Sequence, residues 1–185
     1  MDGVMLTEKY KKREELEKVI EFTYPGIALL IRDCNLGDLG SKYQVGMVLK
    51  ELGFTDASLR RGGMVTTHRL AILSNHYDNM RVYEHDTHWG LCVLEAGSHF
   101  KVLDVWTRGD KTQIILLHLP PKGWEVFDSV ATDMDQKLVD IVREGFEHCL
   151  KLPPIPELST QSWLKRCYYP VGMSEDGDYF PLGTD

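Results

Sequence analysis

Between residues 64 and 119 the chain carries five short runs rich in Val, Ile, Leu and aromatic residues, and nothing constrains its fold more. The runs span 64–73, 81–83, 89–94, 100–106 and 113–119, with polar or Gly-containing breaks between them. Such runs read as strands. The breaks are too short for crossover helices, so sequential neighbours are expected to pair antiparallel.

Helical signals flank this block. Thr7 caps an expected helix over 8–22, and Ser41 with Gln44 forms a capping box for a second over 41–52, stopped by Gly53. The run 27–31 fits either a strand or a buried helix. A third helix is expected from about 132 to 150, where Met134, Leu138, Ile141, Val142 and Cys149 fall on one face. The Pro-rich stretch 152–156 reads as an extended connector, 158–169 as one or two helical turns, and 124–127 as a short edge piece. The acidic, Gly-bearing stretch 172–185 is expected to be a mobile tail. Helices, then strands, then helices predict a single α+β domain over 1–185, built on a mainly antiparallel sheet of four to six strands.

Formal net charge is −7, and the basic runs, Lys9–Arg13 and Arg60-Arg61, are short. The first is followed by Glu14, Glu15 and Glu17, as on a solvated helix face. A nucleic-acid partner is not expected, for want of a basic footprint. With no long apolar run, no membrane partner is expected either. Cysteines stand at 34, 92, 149 and 167, without close pairs. This spacing argues against a disulfide framework or zinc ribbon and points to a reducing, cytoplasmic setting. No phosphate-loop or nucleophile-elbow motif is present, and no cofactor is expected.

The most suggestive chemistry lies in the segments His88-Trp89 and Asp104-Val105-Trp106. A hairpin with Leu94 opposite Phe100 places Leu91 against Leu103, and Gly90 against Asp104. Asp104 then lies diagonal to His88, where a carboxylate fixes an imidazole's tautomer. These residues resemble the His and Asp strand pair of papain-like folds, of the transglutaminase-like or NlpC/P60-like kind. The resemblance covers about twenty residues. It implies a catalytic triad of Cys34 as nucleophile, His88 as base and Asp104 as orienter.

Two other readings use neighbouring residues. His76, Asp78, Glu84, His85, Asp86 and His88, with His118 on a later strand, offer metal-ligand chemistry, although no spacing within them matches a known metal motif. Tyr83, Trp89, Cys92 and Trp106 would line an apolar pocket between sheet and helices. The expected function is therefore binding of a small-molecule ligand or protein partner in that pocket. A papain-like hydrolase or transferase is the second reading, and metal binding by the 76–88 cluster the third.

Overall fold

A computed structural model describes residues 26–122, 124–125 and 133–183. The expected helix 8–22 and part of the piece at 124–127 lie outside these residues. Eight strands form one mixed sheet in the order β2-β7-β8-β4-β1-β3-β6-β5. They are β1 (Ala28–Cys34), β2 (Val48–Lys50), β3 (Thr55–Ser58), β4 (His68–Ser74), β5 (Asp78–Asn79), β6 (Leu91–Leu94), β7 (His99–Arg108) and β8 (Lys111–His118). The α+β class holds, but the sheet is larger than expected and not wholly antiparallel. β4 and β8 run parallel, whereas the other ladders are antiparallel.

The expected β6–β7 hairpin does not form. β6 pairs with β3 and β5, while β7 pairs with β2 and β8. β6 ends at Leu94 and β7 begins at His99, yet they stand five places apart in the sheet. Five flat inter-strand steps would span about 24 Å. The chain from 94 to 99 reaches about 18 Å at most. The sheet must therefore curl over itself. Its concave core shows this directly, because Ala57, Cys92 and Leu94 from one end pack with Leu70, Phe100 and Leu116 from the other.

Strand alternation sorts β1 into two faces. Leu30 and Cys34 enter the concave core, while Ile31 enters a second cluster under helix α1 (Asp133–Cys149). Leu138, Val139 and Val142 of α1 cover Ala71, Ile115 and Leu117 there, as the apolar stripe predicts. Each such buried side chain contributes about 1.5–3 kcal/mol. A bulge at Val102/Asp104 lets Leu103 join this cluster while Asp104 reaches α1.

One other expectation fails for a local reason. The helix over 41–52 is replaced by a 3-10 turn, Gly37–Lys42, and by β2. Ser41 Oγ donates back to Asp38 O at 2.7 Å instead of capping forward, and Val48–Lys50 gain a ladder on β7. The C-terminal stretch hydrogen-bonds to the body as far as Leu182. Tyr179 Oη donates to Lys42 O, Lys42 Nζ donates to Gly177 O, and the Leu182 carbonyl meets His99 Nε2. Helix α2 (Gln161–Arg166) forms within the expected 158–169 region. It is capped by Thr160 and anchored by buried Trp163.

Candidate functional site

The segment 84–90 joins a 3-10 turn, Arg81–Tyr83, to β6, and its backbone is unusual. His88 has φ +51° and Gly90 has φ +66°. A left-handed conformation costs a non-glycine residue roughly 1–2 kcal/mol. Such strain persists where the surroundings over-determine it, and here they do. Glu84 Oε1 accepts from Leu91 N at 2.8 Å and Oε2 from Gly90 N at 3.2 Å. Ser58 Oγ donates to Trp89 O at 2.6 Å, Leu59 N donates to Gly90 O at 2.9 Å, and the Arg60 guanidinium donates to His88 O. Position 90 strongly favours glycine, since a Cβ there would sit 2.9 Å from Arg60 Cγ on a left-handed backbone.

The loop borders an open cleft of about 590 Å³, lined by Leu59, Arg60, Arg81, Glu84, His88, Gly90 and Glu157. Glu157 comes from a 3-10 turn, Pro156–Ser159, and its Oε2 lies 3.2 Å from Arg60 Nη1 as an ion pair without hydrogen-bond geometry. Its own backbone amide, then Arg60 and His88, hold the Glu157 carboxyl below its ordinary value. Arg81 Nε donates to Asn79 Oδ1 at 3.2 Å, and among the described residues its terminal nitrogens have no hydrogen-bond partner. The His88 ring is exposed. The cleft thus combines two guanidiniums, an imidazole able to carry a proton and an ionised carboxylate.

The residues of the expected triad are not assembled. Cys34 is a buried β1 residue, not a helix-borne nucleophile, and burial pushes its thiol up to about 12. Asp104 accepts from Arg143 Nε at 2.7 Å and forms an ion pair with that side chain. His88 lies in the loop before β6, and β6 itself never meets β7. The expected pocket is likewise not formed. Cys92 is in the closed core, and Tyr83 is 71% exposed. Trp89 packs on Trp163 at 5.4 Å, and Trp106 lies under the Arg143 guanidinium at 4.0 Å.

The metal reading is corrected as well. Among the described residues no group of three or more His, Cys, Asp or Glu is placed to hold a metal ion. Glu84 is committed to the loop backbone, and His76 stacks on His118 at 3.8 Å. His118 is 6% exposed, and its Nδ1 and Nε2 meet Ser74 Oγ and Ser98 Oγ at 2.8 and 3.0 Å. Burial pushes its imidazole down to about 3.

His88 and Gly90 are legible as features of the sequence, but their partners are not. Ser58 and Arg60, Arg81, and Glu157 come from three separate segments, and only the curl of the sheet and the return of the C-terminal segment gather them. The dipeptide Arg60-Arg61 is the one signal of them that the sequence offers.

No protein-family model matches the chain, and no curated protein matches it in sequence. Solved structures similar to part of it include the type III effector XopAI from Xanthomonas axonopodis pv. citri, 13% identical with a TM-score of 0.45 over 50% of this chain and 44% of that one. C3stau2 from S. aureus, solved with NAD, is 13% identical with a TM-score of 0.44 over 51% and 63%. The ADP-ribosyltransferase Vis from Vibrio splendidus is 16% identical with a TM-score of 0.40 over 55% and 52%. The chain spans less than two thirds of the length of each. The strand order removes the hairpin on which the papain-like resemblance stood. The readings as a pocket-type binding domain, a papain-like enzyme and a metal binder are replaced accordingly.

Proposed function

We propose that the chain is a glycosyl-transfer enzyme that breaks the glycosidic bond of a nucleoside diphosphate in the cleft beside His88. The supporting observation is the left-handed His88–Gly90 loop, held by Glu84, Ser58 and Arg60 at the rim of a cleft that also holds Arg81 and Glu157. Two guanidiniums suit the oxygens of a diphosphate, to which they donate in pairs. The ionised Glu157 carboxylate, paired with Arg60, suits the positive charge that grows on a sugar ring as its glycosidic bond breaks. A substrate that is anionic at one end and becomes cationic at the other matches that charge pattern. The His88 ring then faces the leaving group or the acceptor as the proton carrier.

Four buried free thiols suit a reducing compartment, and we place the protein in the cytoplasm on that ground. No helix among the described residues is long and apolar enough to cross a membrane.

NAD is the first probe, being the ligand named for C3stau2 and, as carba-NAD, for exoenzyme S from Pseudomonas aeruginosa. The test follows nicotinamide release from NAD by the wild-type protein, Arg81→Ala and Glu157→Gln. The expected result is release by the wild type that falls about a hundredfold in Glu157→Gln, as for loss of one electrostatic contact to the transition state. Unchanged release in both variants, or none in the wild type, overturns the reading.

A further inference from the structure

A second cleft, of about 610 Å³, opens at the C-terminal end of β1 and the entry to β4. Cys34, Asn35, Thr66, Gln161, Ser162, Leu164, Lys165 and Tyr168 line it. Its volume falls in the range of small-molecule sites. In a chain of net charge −7, the described residues of this lining include no carboxylate. Lys165 is exposed and has no acidic partner among the described residues.

Behind the floor lies a buried cation without a counter-ion among the described residues. Arg32 shares a β1 face with Cys34 and is 5% exposed. Its Nη1 donates to Asp56 O at 2.8 Å and its Nη2 to Tyr169 O at 3.0 Å, while Nε has no partner. The nearby carboxylates are taken, Asp33 by Arg69 and Asp56 by Arg166. A buried charge held only by carbonyls is costly, and an orphaned buried donor calls for a reason. The Tyr169 carbonyl that binds Arg32 directly follows Tyr168 of the lining, which ties the guanidinium to the wall of this cleft.

We propose that this cleft is an oxyanion site for a phosphate-bearing small molecule, separate from the cleft beside His88. Lys165 supplies the direct cation at the mouth. Asn35, Thr66, Gln161 and Ser162 supply amide and hydroxyl donors, and Tyr168 offers a ring face to the rest of the ligand. Arg32 acts through the floor as a long-range positive charge that solvent screens poorly. The Cys34 thiol stays a neutral floor residue, because burial holds its proton in place.

The test titrates pyrophosphate into the ¹⁵N-labelled full chain and follows backbone amides, with Lys165→Glu and Arg81→Ala in parallel. The expected result is a saturable shift of amides at 35, 66–67 and 161–168, weakened at least about tenfold in Lys165→Glu and unchanged in Arg81→Ala. A second reading uses Arg32→Met, which is expected to fold, to melt no lower than the wild type, and to lose the gain in Tm that pyrophosphate gives the wild type. Should Arg32→Met fail to fold, Lys165→Glu decides alone. Shifts confined to 88–91, shifts that persist in Lys165→Glu, or no shifts at all overturn the proposal. Shifts at 161–168 without any at 88–91 uphold this site and count against the other cleft, so the two fail separately.

Discussion

His118 is 6% exposed and bonded at both ring nitrogens, whereas His88 is exposed and held through its backbone rather than its ring. The same contrast separates the regions around them. In the interior, Arg69 meets Asp33 through two hydrogen bonds of 2.7 and 2.8 Å and gives a third to Gly62 O, so a buried charge is matched in full. In the 81–90 segment the surrounding groups hold the backbone in a costly conformation and leave the imidazole and Arg81 facing a cleft. Saturated polar groups of the first kind fix the fold, whereas strain and cleft-facing side chains of the second kind are what the proposed function draws on.

Breaking the interior should cost most. Asp33→Ala strands the Arg69 guanidinium at 2% exposure, and a loss of about 3–5 kcal/mol is expected by urea denaturation. Acid is the next lever. Burial lowers the His118 imidazole from 6.5 to about 3, so between those values the unfolded chain binds a proton that the folded chain refuses. Stability is therefore full above pH 6.5 and falls as pH falls through that window. The slope approaches about 1.4 kcal/mol per pH unit, measurable as denaturation midpoints against pH. His76, also lowered by burial, adds with the same sign.

Smaller effects are expected at the loop. Ser58→Ala removes the donor to Trp89 O and should cost about 1–2 kcal/mol in thermal unfolding. His88→Gly should do the reverse. It relieves the left-handed backbone and gains about 1 kcal/mol, while nicotinamide release drops. If that variant is destabilised, the strain assigned to the loop is absent and the contrast between the two regions collapses.

Much of the scaffold is legible in the chain's apolar pattern. The stripe Leu138–Ile141–Val142 places α1, and the runs at 89–94, 100–106 and 113–119 place β6, β7 and β8. Arg81–Tyr83 does not become a strand, since it makes a 3-10 turn with no buried residue. β2, β3 and β5 have two to four residues each and carry too little pattern to be seen. The β6–β7 break reads as a hairpin because a five-residue loop at 95–99, containing Gly97, suits one. Gly97 N and Ser98 O instead bond to Glu51 beyond β2, which draws the link across the curl. His88 stands out by its chemistry, but its partners Arg60, Arg81 and Glu157 are separated by up to 97 residues of chain, and no local rule joins them.

The central claim is that the cleft beside His88 holds a nucleoside diphosphate. Titration of ADP-ribose into the ¹⁵N-labelled chain tests it most directly. The account predicts saturable shifts at the amides of His88, Gly90 and Leu91 that vanish in Arg81→Ala. Millimolar ligand that leaves these three amides unmoved would contradict it.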